Sequence, residues 1–253
     1  MNAIKKGIWG PWATIGWGFL IFIVWNVFQA VPILVIWISY LCQNGGKDAS
    51  ILLKSLTENG NVLVSSAVLG GLIGIGLVFL IIWIRKGTNL PQYLALQPLK
   101  WKDILLTLGV SIPFFLGSDL LNDFLGKDIV LKWMIKTYST CDSPFLLVLG
   151  IVFLGPLFEE FFFRGFLFEG LRNSKLGNIW AALLISAIWA FLHLQYDFYT
   201  VAIIFLEGLL LSWLRMKTGT LWSCILSHIL NNTYSTVEII LYLKGYTLFH
   251  VSK

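Results

Sequence analysis

Seven stretches of this chain run almost free of charge, at roughly 12–42, 61–84, 104–121, 145–168, 178–194, 199–214 and 220–243. Between them Lys, Arg, Asn, Gly and Pro gather in short polar segments such as Arg85-Lys86-Gly87 and Arg215-Met216-Lys217-Thr218-Gly219. Most of the runs are long enough to cross a hydrocarbon core of ~30 Å as helices. The pattern therefore predicts an all-α, polytopic transmembrane helical bundle of about seven to eight membrane-spanning helices. The first run holds 31 residues, ~46 Å at helical rise, more than one bilayer crossing needs. Tilt, a break near Gln29 or Pro32, or extension into water would absorb the excess.

Composition removes the soluble alternative. Hydrophobic residues make up 57% of the chain and charged ones 12%, against about 25% charged in a soluble domain. Mean hydropathy is +0.80. The first apolar run is far longer than the ~7–15 residues of a signal-peptide core, and no small-residue cleavage pattern follows it. A multi-pass protein of the cell membrane is the expected localisation. Cys42, Cys141 and Cys224 are odd in number and lack ligand spacing, which supports neither a disulfide framework nor a cysteine metal site. The net charge of +5 resides mostly in loops, so it reads as topology rather than nucleic-acid binding. Twelve Trp and nineteen Phe fit interface belts and packing. The loop at 85–103 is the best internal boundary. It divides N-terminal helices and a basic loop (1–103, not separately folded) from a C-terminal bundle (104–253), within one domain.

What remains polar inside the apolar runs is sparse. Glu159, Glu160 and Arg164 stand within six residues of one another in the run 145–168. Each ionised group near the middle of such a span costs roughly 2.5–3.5 kcal/mol, so the three need partners and a function. Glu160 and Arg164 are i,i+4 and share a face. His193 ends the next apolar run, and His228 and Asn232 repeat the i,i+4 spacing on the last. Depth can be counted from the turns centred on Lys175 and Lys217. Glu160 lies ~22 Å, His193 ~27 Å, Asn232 ~22 Å and His228 ~16 Å along their helices. In antiparallel helices that is one layer, and it predicts a shared intramembrane site.

The chemistry such a layer supports is acid–base. Arg164 compensates the charge of Glu160, while Glu159, about 100° round the helix, has no such cation and is the candidate general base for a water molecule. His193, His228 and Asn232 could donate hydrogen bonds to a developing oxyanion. Alternatively, His193, His228 and Glu159 could hold Zn²⁺, since two His and one Glu form a catalytic ligand set. No His-Glu-x-x-His motif is present. The depth counts separate the two histidines by up to ~11 Å, which favours no cofactor over possible Zn. Ser186 and Ser227 lack the glycines of a nucleophile elbow and read as packing residues. Cys224, one turn before His228, would leave the acidic pair without a role. Glu207 is a further buried acid, placed either on the cavity wall or in a hydrogen bond to a neighbouring helix.

The motif Glu159-Glu160-x-x-x-Arg164, with Trp189-Ala-Phe-Leu-His193 and His228-Ile-Leu-Asn-Asn232, resembles the signature of the CAAX-protease and bacteriocin-processing family of intramembrane proteases. The resemblance covers about 145–235, and Trp189 stands where the family pattern has Phe. It implies a helical bundle with an intramembrane catalytic cavity and peptide-bond hydrolysis. Glu159 would activate water, Glu160 and Arg164 would support it, and His193, His228 and Asn232 would act as oxyanion donors or metal ligands. Expected partners are the lipid bilayer and a peptide or protein substrate at the membrane, with or without a lipid group. Two other classes compete: a non-catalytic scaffold or immunity protein that retains the fold, and a proton-coupled transporter. Seven spans place ten basic residues, Lys5 and Lys6 among them, on the side of the loops at 85–103, 169–178 and 215–219. Seven, including Lys47 and Lys253, lie on the other side. That bias sets the first side in the cytoplasm and the site nearer the opposite face.

Overall fold

A computed structural model describes residues 7–44, 48–130 and 132–246, and among them helices are the only regular secondary structure. Lys5, Lys6, Lys47 and Lys253 lie outside the described residues. The elements are α1 (Pro11–Asn44), α2 (Ala49–Thr57), α3 (Gly60–Trp83), α4 (Leu90–Tyr93), α5 (Trp101–Phe124), α6 (Lys132–Ser139), α7 (Pro144–Arg172), α8 (Gly177–Phe191), α9 (Phe198–Thr218) and α10 (Leu221–Leu243). The seven apolar runs become α1, α3, α5, α7, α8, α9 and α10. Side chains written just before the helices cap their free N–H groups. Asn59 accepts from Val62 N at the start of α3, Asp197 from Thr200 N at α9, and Thr220 from Trp222 N at α10. Gly219, at φ 72°, stops α9 in a left-handed turn that a side chain would strain.

Five of these helices (α1, α3, α5, α7, α9) are long and apolar enough to cross a membrane. The protein is a multi-pass membrane protein. Helix α8 has 15 residues, ~22 Å, and α10 has the length but is interrupted by His228, Asn231, Asn232 and Glu238. Helix α1 runs unbroken past Gln29 and Pro32, so the break considered from sequence does not occur there. Its outer face is apolar and bare, with Trp12 and Phe19 exposed, as lipid contact requires.

The core lies where α1, α3, α7, α8, α9 and α10 meet, around Ile82, Phe158, Phe163, Phe166, Trp189, Leu211 and Leu214. Close approach of α3 to α7 depends on the glycines of α3. A Cβ on Gly74 would lie 2.4 Å from the Phe158 ring, and one on Gly71 would lie 2.9 Å from Leu154. Small residues at helix contacts are the usual way membrane helices gain packing, because lipid offers no hydrophobic drive between them.

The loops sort into two ends. At one end Leu221 N donates to Ala95 O and Thr220 Oγ1 to Gln97 O, while Glu169 binds both Arg172 and Arg215. Tyr93 and Leu94 are buried here, so the 85–103 segment is packed into the bundle. At the other end Gly60 N donates to Thr140, Lys136 pairs with Glu58, and Trp133 packs edge-on against Tyr196.

Candidate active site

Helix α7 is irregular where it carries the acidic pair. It widens to i→i+5 bonding over Val148–Leu154 and again over Phe161–Leu167, leaving the six α-helical residues Gly155–Glu160 between. Pro156 has no N–H for the carbonyl four residues back and its ring crowds that carbonyl, which gives the first widening a physical cause. Single-turn expansions of this kind concentrate at functional sites. They turn Glu160 inward and leave Glu159 on a cavity wall.

Glu160 and Arg164 are both 0% exposed. Arg164 Nη1 donates to Glu160 Oε1 at 3.0 Å, and His228 Nδ1 donates to the same oxygen at 2.9 Å. Arg164 Nη2 reaches Gly208 O at 3.3 Å, and the guanidinium sits 4.5 Å from the Trp189 ring centre. This closed network joins α7, α8, α9 and α10.

Glu159 is half-buried and accepts from Trp189 Nε1 at 2.5 Å. Trp189 is the hub of the site. Its indole packs edge-on against His193 (5.2 Å between centroids) and His228 (5.4 Å), and its carbonyl oxygen accepts from His193 Nδ1 at 2.9 Å. From sequence, Trp189 stood out only as a Trp where the family pattern has Phe. The indole N–H, which Phe lacks, was the available signal that it also binds an acid.

Glu159, His193, His228 and Asn232 all line one cavity of about 660 Å³, and Glu160 and Arg164 lie behind its wall. Five of the six candidates form a contiguous set. Asn232 borders the same cavity but donates Nδ2 to Ile151 O of the first widened turn, at 2.8 Å. One of its two amide hydrogens is thereby engaged, and the donor role expected of it falls to the other. The donor role of the histidines is restricted as well. Carbonyl and carboxylate oxygens only accept, so both Nδ1 atoms carry hydrogen, and Nε2 donates only in the imidazolium form. Asn231 was missed from sequence. It donates to Glu207 Oε2 at 3.1 Å, which places Glu207 both on the cavity wall and in a bond to a neighbouring helix. Ser186 bonds Ser212 and Ser111 bonds Ser227, as packing residues between helices. Cys224 is buried behind the wall, its thiol on Leu211 O.

A zinc reading finds the two open Nε2 atoms a ligand pair would need. It finds no third partner: among the described residues, no three His, Cys, Asp or Glu side chains converge as a metal set. The residues present do not fit the ion.

Fold and cavity together define a multi-pass helical membrane protein with a carboxylate-bearing cavity in its helical bundle. Residues 142–234, which contain every candidate residue, match the family described as Rce1-like, type II CAAX prenyl endopeptidase. A curated Escherichia coli protein, described as an uncharacterized 24.3 kDa protein, is 34% identical over 111 residues. The alignment takes in 41% of this chain and 51% of that protein, so the chain spans about half the length of the relative. No solved structure matches. The resemblance carried by the three motifs is therefore met by the family model.

Proposed function

We propose that the chain is an intramembrane endopeptidase that hydrolyses a peptide bond of a membrane-associated peptide or protein. The substrate is of the prenylated C-terminal type or a bacteriocin-like peptide presented at the membrane. Glu159 takes a proton from a cavity water, whose oxygen adds to the scissile carbonyl carbon. The resulting oxyanion lies within reach of the free Asn232 hydrogen and of imidazolium Nε2 groups on His193 and His228. Collapse breaks the C–N bond, and the proton held by Glu159 passes to the leaving amine. Glu160 and Arg164 act through His228 and Trp189, holding both rings against the cavity.

The observation that carries this reading is the division between the two glutamates. One is fully buried with a cation and a histidine, and the other is bound by a single indole N–H on the wall of a cavity large enough for a peptide segment. A transporter or scaffold needs no such division. The test is purified protein in liposomes incubated with a library of plain and prenylated peptides, with and without chelator, beside Glu159→Ala, and read by mass spectrometry. Discrete cleavage by the wild type and none by the variant supports the proposal; equal product from both refutes it.

A further inference from the structure

Glu207 carries a polar atom that the scheme above does not use. Its residue is 5% exposed and lies on the wall of the same cavity as Glu159, Trp189 and His228. Oε2 is held by Asn231 Nδ2 at 3.1 Å, and among the described residues Oε1 has no partner. A buried acceptor left unpaired is costly, and such groups ordinarily meet a partner, a water or a ligand. Its placement is built in from two sides. The following residue, Gly208, lets α9 press against α7 and α8, since a Cβ there would stand 3.1 Å from the Trp189 ring and 3.2 Å from Arg164 Nη2. Asn231 fixes the carboxyl from α10, one turn after His228. Among the described residues no Lys or Arg lines the cavity.

Resting on the endopeptidase reading, we propose that Glu207, clamped by Asn231, is a substrate-contact residue that accepts a hydrogen bond from a backbone amide N–H of the bound peptide next to the scissile bond. An amide N–H is the donor that every peptide brings, whatever its side chains. A chain laid past Glu159 and His228 passes the same wall. Binding there orients the scissile carbonyl towards Glu159 and gives Oε1 of Glu207 a partner.

The test uses the full-length protein and a peptide found to be cleaved in the library screen, together with analogues N-methylated singly at each amide flanking the scissile bond. Glu207→Met keeps volume without an acceptor, whereas Glu207→Gln restores an acceptor oxygen. Expected is a loss of about 10- to 100-fold in kcat/KM for Glu207→Met, most of it recovered in Glu207→Gln. One N-methyl analogue should be cut about 10- to 100-fold more slowly than its parent by the wild type, yet at the parent's rate by Glu207→Met. Should Glu207→Met fail to fold, Asn231→Leu is expected to weaken the same N-methyl penalty. An N-methyl penalty unchanged in the variant would overturn the inference while leaving the endopeptidase reading intact. Absence of any wild-type cleavage would instead remove the reading on which it rests.

Discussion

Glu160→Gln removes one charge from a pair that has no access to solvent. Both partners are 0% exposed, and Arg164 Nε already has no acceptor among the described residues. The guanidinium would retain Gly208 O and the Trp189 face, neither of which carries charge. Breaking a buried ion pair from one side costs about 3–5 kcal/mol, because the remaining charge is stranded. Gln keeps an oxygen where His228 and Arg164 already donate, so the lower figure, about 3 kcal/mol, is expected. At about 2–4 °C per kcal/mol for a chain of this size, Tm in detergent should fall by about 6–12 °C. Arg164→Met should be as damaging, since it leaves Glu160 alone. The double variant Glu160→Gln/Arg164→Met should recover most of the loss, because it removes both charges and strands neither. Thermal unfolding of the four proteins followed by circular dichroism closes the cycle. Independent, additive losses in the double variant would refute the pairing as the source of the cost.

Trp189→Phe keeps the ring between the two histidines and removes the hydrogen bond to Glu159; kcat should fall about tenfold or more with little change in KM, read in the peptide assay. Gly208→Ala forces a methyl to within 3.0–3.2 Å of Ser186, Trp189 and Arg164, and should lower stability by about 1–3 kcal/mol in the same unfolding experiment. Asp197 caps α9 outside the membrane, and hydrogen bonding from Thr200 N–H holds its carboxyl below the ordinary value. A lowered folded-state value means that its contribution is complete above the ordinary carboxylate range and disappears as pH falls through the lowered one. Asp197→Asn, which keeps the cap without titrating, should flatten that acid limb of the Tm–pH curve.

Much of the fold was legible because a bilayer leaves a chain few options. Runs of apolar length must be helices, and all seven became helices with ends within a few residues. Depth counting from Lys175 and Lys217 worked for the same reason: a fixed rise per residue in antiparallel helices brings Glu160 and His228 to 2.9 Å. Facing was less legible. Asn232 was grouped with His228 by its i,i+4 spacing, but its amide turns to Ile151 O, a carbonyl that the widened turn of α7 offers and that no regular helix would. The same irregularity hid the role of Trp189, since hydropathy scores its indole as packing and cannot register an N–H aimed at a carboxylate on another helix. Asn231 went unread because its partner, Glu207, lies 24 residues away and only the packing at Gly208 brings α9 close enough.

The central claim is that Glu159 activates water. Cleavage of one defined peptide in H₂¹⁸O by wild type and by Glu159→Gln, with both shown to be folded at the same Tm, tests it most directly. The account predicts one ¹⁸O atom in the new C-terminal carboxylate of the wild-type product and turnover by Glu159→Gln reduced by at least about 10³-fold. Cleavage by Glu159→Gln at the wild-type rate would contradict it.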